Sequence, residues 1–218
     1  MQVKLSDIST LLGITPKDID EKCKSLKQHD LFVDEGLLST GEIEDILMDH
    51  QIGLDSSELY EVGTSKFNLF RALLKGIVLD RIHANHQFEL IEIATQHIAQ
   101  MLDLDSKTLA LLLIEREKMM STAIGNGIAV PHTRDFLVPS HLDTVSLVHP
   151  LHPINFDALD KQPVHSCFFL FASNPKNHLR LLAKIASFCQ VQEHRELLAS
   201  APTKRDLLIT VRKWEQTL

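Results

Sequence analysis

The stretch Ser121-Thr-Ala-Ile-Gly-Asn-Gly-Ile-Ala-Val-Pro-His132 is the part of the sequence that decides the fold. Gly125 and Gly127 allow the backbone to turn sharply or to come close to a bound group. Residues 128–130 form an apolar run typical of a short buried strand. The proline that follows ends regular pairing and fixes the chain direction. The sequence therefore predicts an imidazole at a strand end, beside a loop of small residues whose N–H groups can face an anion.

The residues around His132 narrow the chemistry that its imidazole can perform. A metal site needs further His, Cys or carboxylate ligands at close spacing, and the loop holds none. A serine hydrolase needs a Gly-x-Ser-x-Gly setting, which Ser121 and Thr122 lack. The hydroxyl groups, the glycine N–H groups and the guanidinium of Arg116, a group that binds two phosphate oxygens at once, favour anion handling. A buried structural histidine is the alternative that this stretch alone leaves open.

A longer stretch resembles a known family. The segment Leu113-Ile-Glu-Arg-Glu-Lys-Met-Met-Ser-Thr-Ala-Ile-Gly-Asn-Gly-Ile-Ala-Val-Pro-His132 is similar to the signature of the enzyme IIA proteins of the bacterial phosphotransferase system, fructose/mannitol type. The similarity is greatest to their nitrogen-regulatory (PtsN-like) branch. Three further segments match the family in the same order: Asp160-Lys-Gln-Pro-Val164, residues 167–172, and His178-Leu-Arg-Leu-Leu-Ala-Lys-Ile-Ala186. The resemblance covers residues 69–214, which is most of the chain.

The resemblance implies a role for each residue of the predicted site. His132 accepts a phosphoryl group from HPr or its nitrogen-branch relative NPr and passes it on. His178 lies beside it, and Arg116 orders the loop or the phosphate. The charge on the phosphate is also held by hydroxyl and N–H groups of Ser121, Thr122, Gly125 and Gly127. No metal or cofactor is expected, because the phosphoryl group moves directly between two histidines.

Two details of the site follow from the chemistry and from a departure in the sequence. Attack on phosphorus requires a neutral imidazole, so the second ring nitrogen of His132 is expected to donate its proton to a fixed acceptor such as a backbone carbonyl. The family usually has Ser-Thr-Gly where this chain has Ser-Thr-Ala123. If that position requires a positive φ, Ala123 shifts the loop geometry and lowers the efficiency of transfer.

The composition predicts a cytoplasmic protein without membrane insertion. Its 218 residues, of which 23% are charged, suit one large or two modest globular domains. No apolar stretch reaches membrane-spanning length, and the N-terminus lacks the pattern of a secretion signal. The three cysteines, Cys23, Cys167 and Cys189, are odd in number and far apart, which favours reduced core residues.

The distribution of charge predicts a domain boundary. Residues 1–60 carry 13 acidic and five basic side chains, whereas the rest of the chain carries 16 acidic and 17 basic ones. This break near residue 60 and the polar segment that follows it predict an N-terminal domain over residues 1–58. The enzyme IIA-like domain is predicted over residues 67–218.

The N-terminal segment has the pattern of small helices. Ser6 can cap a helix that stops at Gly13, and Thr15-Pro-Lys-Asp18 and Ser39-Thr-Gly-Glu42 are helix-start signals. The arrangement resembles helix-turn-helix DNA-binding domains of the MerR and excisionase type. DNA affinity depends on Lys and Arg contacts to phosphates, and this segment has no Arg and interleaves acids with its lysines. We therefore favour a protein-interaction module, with DNA binding as the alternative.

In residues 67–218, strand-like and helix-like segments alternate, which predicts an α/β fold; the resemblance implies a mixed β-sheet flanked by helices. Strands are predicted over residues 77–79, 144–148 and 164–172, and helices over residues 86–102, 106–118 and 193–199, with further helices after Asn174 and Thr203. In the helix after Asn174 the residues expected to face inward are Leu179, Leu182, Ala183, Ala186 and Cys189. The segment His149-Pro-Leu-His152 is expected to be a turn with exposed histidines rather than a metal site.

Three functions are compatible with this organisation. The extra N-terminal domain favours a regulatory enzyme IIA, in which phosphorylation of His132 reports the state of the carrier to a target protein. The first alternative is a sugar-transport enzyme IIA that passes the phosphoryl group to a IIB subunit. The second is a helix-turn-helix DNA-binding regulator controlled by phosphorylation.

Overall fold

The structure, a computed structural model, describes residues 3–4, 37–38, 68–133, 135–139 and 143–218. The chain divides into two compact units, Met1–Ser65 and Lys66–Leu218. In the first unit the described backbone consists of β1 (Val3–Lys4) and β2 (Leu37–Leu38), which pair antiparallel. The helix-turn-helix prediction for residues 1–58 otherwise lies outside the described residues, and it stays a prediction.

The second unit contains a mixed sheet flanked by helices, as predicted. In chain order its described elements are α1 (Asn68–Lys75), β3 (Val78–Ile82), α2 (Gln87–Leu102), α3 (Ser106–Met119), β4 (Ala123–Gly125), β5 (Ile128–Ala129), β6 (Thr144–Pro150), β7 (Ser166–Phe171), α4 (Pro175–Phe188), α5 (Gln192–Ala199) and α6 (Lys204–Gln216). The strand order is β3-β6-β7-β5-β4. The β3–β6 and β5–β7 pairs are parallel, and the β6–β7 and β4–β5 pairs are antiparallel.

The two long central strands are buried along their whole length. Every residue of β6 and β7 is buried, as expected for strands that are covered on both faces. Phe169 and Phe171 join a core cluster with the apolar sides of α2 and α3. Phe168 and Leu170 alternate with them along β7 and are also buried, so their side chains point to the opposite face. The sheet is therefore a rigid platform for the loops at its edge.

The capping residues predicted from the sequence lie at the observed starts of three helices. The side chains of Asp105 and Asn174 accept hydrogen bonds from backbone N–H groups three residues later, at 2.8 and 2.9 Å. Thr203 caps α6 in the same way at 3.2 Å. These caps satisfy N–H groups that have no partner within the helix. The helix expected from His86 begins at Gln87, with His86 as its cap.

The buried face of α4 differs from the prediction. Leu181, Ile185 and Phe188 are its buried residues, whereas Leu179 is 68% exposed. Of the other residues predicted to face inward, Cys189 is buried, Leu182 and Ala186 are half-buried, and Ala183 is exposed. The apolar spacing alone does not determine which side of α4 faces the core, because leucines lie on both sides of the helix, with Leu181 buried and Leu179 exposed.

The prediction of an exposed turn at His149 is wrong. β6 continues through Pro150, and His149 is only 2% exposed. Its Nδ1 lies 3.1 Å from the backbone oxygen of His165, to which it donates a hydrogen bond. Because the strand is central, even its polar end is covered by neighbouring segments. His152, in contrast, is exposed.

No helix among the described residues is both long and apolar enough to cross a membrane.

Candidate functional site

His132 lies three residues after the end of β5, where the chain continues alongside β7. The parallel register that pairs Ile128 with Ser166 continues to an isolated bridge between His132 and Leu170. The backbone N–H of Leu170 donates to the carbonyl oxygen of Pro131 at 3.0 Å. The carboxyl ends of parallel strands meet at one edge of a sheet, where loops form ligand sites in α/β folds. The imidazole is thus held at a strand end, with its backbone fixed on one side.

The ring of His132 has a defined tautomer. Its Nδ1 lies 2.8 Å from the carbonyl oxygen of Val130. A carbonyl oxygen can only accept a hydrogen bond, so Nδ1 carries the proton and Nε2 is the basic nitrogen of the neutral ring. The side chain is half-buried. This is the arrangement that the sequence analysis expected for a nucleophilic imidazole.

His178 lies next to His132. The two ring centroids are 5.0 Å apart and the ring planes are nearly perpendicular, at 89°. His178 is in the first turn of α4, which begins just after β7, and its N–H donates to the carbonyl oxygen of Asn174 at 3.0 Å. The N-terminus of a helix favours a negative charge and disfavours an imidazolium. The structure therefore brings together two histidines that are 46 residues apart in sequence.

Arg116 is the cation of this cluster. It lies in the last turn of α3, and its Nη1 donates to the carbonyl oxygen of Met120 at 2.7 Å. Burial lowers the pKa of His178 below its ordinary value, and the positive charge of Arg116 lowers that pKa further. His178 is therefore neutral at neutral pH and retains one N–H donor.

We expect the Arg116→Gln variant to raise the pKa of His178 toward its ordinary value of 6.5, because the nearby positive charge is lost while the burial remains. A lowered pKa means that the unfolded state binds more protons below pH 6.5, so the folded state loses stability as the pH falls through that value. The Arg116→Gln variant should lose less folding stability than the native chain over the same fall in pH. NMR titration of the His178 ring measures this, with exposed Arg205→Gln as control; an unchanged pKa in Arg116→Gln would contradict the assignment.

Ser121 and Thr122 lie beside the strand that leads to His132, but their hydroxyl groups have internal partners. The N–H of Val130 donates to the carbonyl oxygen of Thr122 at 3.0 Å. Thr122 donates to the carboxylate of Glu117 from its N–H at 3.0 Å and from its hydroxyl at 2.5 Å. The hydroxyl of Ser121 donates to the carbonyl oxygen of Phe156. These two residues therefore brace the backbone beneath the site.

Glu117 is a residue of this region that the sequence analysis missed. It is 4% exposed, and burial raises the pKa of its carboxyl group despite the hydrogen bonds from Thr122 that lower it. Its position was detectable, because Leu109 and Leu113 are buried residues of α3 and position 117 continues their four-residue spacing. A carboxylate on a buried stripe indicates a specific partner.

The glycines lie away from the histidines. Gly125, Asn126 and Gly127 have positive φ values of 91°, 54° and 72° and form the turn between the antiparallel strands β4 and β5. Gly127 precedes β5 and His132 comes five positions later, so an extended backbone between them spans about 16 Å. The N–H of Asn126 donates to the carboxylate of Asp160 at 2.7 Å. The structure thus does not bring Gly125 or Gly127 close to His132. The negative charge next to this turn is the carboxylate of Asp160.

The substitution at Ala123 has no geometric consequence. Ala123 is the first residue of β4 and pairs with Ala129. Its φ is not among the positive values of the described residues, so an alanine side chain is accommodated in extended backbone. The expected shift in loop geometry does not occur.

Among the residues that the structure describes, no group of three or more His, Cys, Asp or Glu side chains is arranged to hold a metal ion.

The fold of the second unit is similar to that of solved enzyme IIA structures. A crystal structure of the nitrogen regulatory protein IIA-Ntr from Neisseria meningitidis superimposes with a TM-score of 0.56 and 29% identity, covering 63% of this chain and 94% of that one. Enzyme IIA of the mannitol system from Escherichia coli, in a complex with phosphorylated enzyme IIB, shares the fold with a TM-score of 0.51 at 18% identity, covering 64% and 95%.

The family follows from the sequence comparison. Residues 73–214 match the family model described as phosphoenolpyruvate-dependent sugar phosphotransferase system, EIIA 2, and the chain belongs to this family. The nitrogen regulatory protein of Pseudomonas aeruginosa is 38% identical over 120 residues, which are 54% of this chain and 77% of that protein. The resemblance seen in the sequence is thereby confirmed for the second unit. The match does not reach residues 1–58, and the helix-turn-helix interpretation gains no support from it.

Proposed function

We propose that this enzyme IIA component accepts a phosphoryl group on Nε2 of His132 from the phosphohistidine of HPr or NPr. The observation that carries the proposal is the fixed tautomer of His132, whose Nδ1–H donates to the carbonyl oxygen of Val130 at 2.8 Å. That hydrogen bond directs the basic nitrogen away from the backbone and stabilises the positive charge that grows on the ring as it attacks.

The transfer is a displacement at phosphorus. The lone pair of His132 Nε2 forms the new N–P bond while the N–P bond of the carrier breaks, and the leaving imidazole nitrogen keeps that electron pair. Charge in the loose transition state spreads over three phosphoryl oxygens. Arg116 supplies a positive charge close to His178, and a neutral His178 with its ring 5.0 Å from that of His132 can donate one N–H to an oxygen.

Ser121, Thr122, Gly125 and Gly127 have a different role in this proposal from the one expected. The two hydroxyl groups hold Phe156 and Glu117, and the glycine turn is about 16 Å from the histidine along the strand. We therefore assign phosphate contacts to Arg116 and His178 and assign the four other residues to the support of the loop.

Four exposed apolar side chains lie next to His178 or Arg116 and suit the docking of a carrier protein. Phe136 has its ring 6.3 Å from that of His178, and Leu179 follows His178 in α4. Met119 and Met120 end α3 beside Arg116. All four are at least 43% exposed. Apolar side chains grouped on a surface indicate an interaction site.

We expect Leu179→Glu to raise the KM for the phosphorylated carrier about tenfold, because a charge replaces an exposed apolar side chain of the proposed docking surface next to His178. The matched control is Leu159→Glu, since Leu159 is fully exposed at 101% and neighbours Asp160 at the glycine turn. Steady-state phosphotransfer with increasing carrier concentration measures both. Equal KM values for the two variants would contradict the proposed docking surface.

We further propose a regulatory role in nitrogen or metabolic signalling in the cytoplasm. Its support is the 38% identity to a nitrogen regulatory protein and the acidic segment of residues 1–60, which carries 13 acidic side chains. The alternative is transfer to a IIB subunit, since the mannitol enzyme IIA of Escherichia coli forms a complex with phosphorylated enzyme IIB. A phosphorylation-controlled DNA-binding regulator is the third candidate.

The experiment that tests phosphoryl acceptance uses the full chain with radiolabelled phosphoenolpyruvate, enzyme I and HPr or NPr. We expect label on the chain only when enzyme I and a carrier are both present, and the linkage should be labile in acid, as a phosphohistidine is. A labelled carrier that leaves the chain unlabelled would refute the proposal. Binding of target proteins to the phosphorylated and unphosphorylated chain then separates the regulatory role from transport, because identical affinities in both states would contradict regulation.

A further inference from the structure

Asp143 joins two segments of the fold that meet beside the histidine pair. It comes directly before β6, and its carboxylate accepts one hydrogen bond from the segment between β7 and α4 and one from the first turn of α4. The N–H of Ser173 donates to Oδ1 at 2.7 Å, and the side-chain amide of Asn177 donates to Oδ2 at 2.6 Å. Both are short, charge-assisted hydrogen bonds. A single carboxylate therefore holds the beginning of α4 at two points.

These two points enclose the first turn of the helix that carries His178. Asn174 caps α4 by accepting the N–H of Asn177 at 2.9 Å, and His178 is the next residue. A rigid helix held at Ser173 and at Asn177 has a fixed rotation about its axis, and the position of the following imidazole is fixed with it. The negative charge also lies at the N-terminal end of the helix, where the helix dipole favours it.

The two hydrogen bonds of Asp143 are consistent with the rotation of α4 about its axis, which the apolar pattern of the helix did not predict. The helix buries Leu181, Ile185 and Phe188, and it leaves Leu179 exposed. With this rotation the ring of His178 stands perpendicular to that of His132 at 5.0 Å. The rotation of α4 that places His178 beside His132 is the same rotation that brings Asn177 to Asp143.

We propose that Asp143 is a positioning residue for phosphoryl transfer, which sets the place of the His178 imidazole through Ser173 and Asn177. The inference rests on the proposed function, because it gives His178 a role in transfer to His132. Asp143 itself does not contact the phosphoryl group in this account. It acts on the rate because a displacement of about 1 Å in a group that stabilises the transition state costs up to about a hundredfold.

Asp143→Asn tests the proposal. The amide keeps an oxygen for the Ser173 N–H, but it is neutral, so both hydrogen bonds lose their charge assistance, and the Asn177 side chain can pair with the new NH₂ group only after it turns its own amide around. We expect the rate constant for phosphorylation of His132 at saturating carrier to fall at least about tenfold. The control is Asp103→Asn, which removes the same charge at an exposed position with φ of 55°, a conformation that asparagine tolerates.

A charge-swapped pair provides the rescue. In the double variant Asp143→Asn and Asn177→Asp, the amide of residue 143 donates to the carboxylate of residue 177, so the hydrogen bond is restored with its direction reversed. We expect most of the lost rate to return. Asn177→Ala, which removes only one of the two bonds, should give a smaller loss and serves if Asp143→Asn does not fold.

NMR of the His178 ring distinguishes positioning from general stability. In Asp143→Asn the ring should move out of its place, and its pKa should rise toward 6.5, since burial and Arg116 lower it in the native position. A folded Asp143→Asn with the native transfer rate would overturn the inference, as would a slow variant with an unmoved His178 ring. If the native chain itself accepts no phosphoryl group, the proposed function fails, and the ring titration still decides whether Asp143 positions His178.

Discussion

The His132→Gln variant should take up no phosphoryl group from the phosphorylated carrier, with a rate at least about a thousandfold below that of the native chain. Glutamine is close to histidine in size and keeps a polar side chain, but its amide nitrogen has no basic lone pair for attack on phosphorus. In the proposed mechanism neither Arg116 nor His178 can compensate, because both stabilise charge on the transferring group and form no bond to it.

The measurement is the initial rate of label transfer from phosphorylated HPr or NPr to the chain. His152→Gln is the matched control, since His152 is exposed and lies outside the histidine pair. It should retain the native rate. Label on His132→Gln at more than a few per cent of the native level would mean that another residue is the acceptor.

The largest loss of folding stability is expected for Gly76→Ala. Gly76 lies between α1 and β3, and a Cβ atom there would be 1.9 Å from the carbonyl oxygen of Val145 and 2.6 Å from its carbonyl carbon. Both atoms belong to the backbone of β6. The adjacent hydrogen bond from the N–H of Leu147 to the carbonyl oxygen of Ile77, at 2.9 Å, holds the two segments together, so neither can retreat without breaking the sheet.

We expect Gly76→Ala to lower the free energy of unfolding by about 3 kcal/mol or more. Gly125→Ala provides the comparison, because its added Cβ would meet a side-chain atom, Oδ2 of Asp160, at 3.2 Å. Its cost is mainly the positive φ of 91°, about 1–2 kcal/mol. Urea unfolding of the full chain measures both changes. A smaller loss for Gly76→Ala than for Gly125→Ala would contradict the packing described here.

Features that depend on neighbouring residues could be predicted from the sequence. The strand before His132, the caps at Asp105, Asn174 and Thr203, and the alternation of strands and helices each depend on local rules of turn, cap and periodicity. The nearness of His178 to His132 did not come from such rules. It came from the resemblance to a family, because the two residues are brought together only by the pairing of β5 with β7.

Features that depend on register or on long-range contacts could not be predicted. The glycine loop and the histidine share one stretch of sequence, but β5 extends between them, so their closeness in sequence does not become closeness in space. Glu117 and Asp143 act through partners at specific distances, Thr122 in one case and Ser173 with Asn177 in the other. Nothing in the residue types reveals such partners. The predicted effect of Ala123 on the loop geometry depended on its φ, which only the structure defines and which is not positive.

These findings change the description of the site. The sequence predicts the phosphate among glycine N–H groups and hydroxyls, whereas in the structure the ring of His178 lies 5.0 Å from that of His132, and the charge of Arg116 acts on His178. The hydroxyls and the glycine turn are engaged with Glu117, Phe156 and Asp160. In the proposed mechanism the placement of α3 and α4 is decisive, because the ends of these two helices carry Arg116 and His178.

The most direct test of the central claim is to identify the phosphorylated atom. The chain, labelled with nitrogen-15 in its histidine rings, is phosphorylated by phosphoenolpyruvate, enzyme I and the carrier, and phosphorus–nitrogen NMR correlation locates the new bond. Because Nδ1 of His132 donates to the carbonyl oxygen of Val130 at 2.8 Å, we expect phosphorus on Nε2 of His132. Phosphorus on Nδ1 of His132, or on His178, would contradict the account.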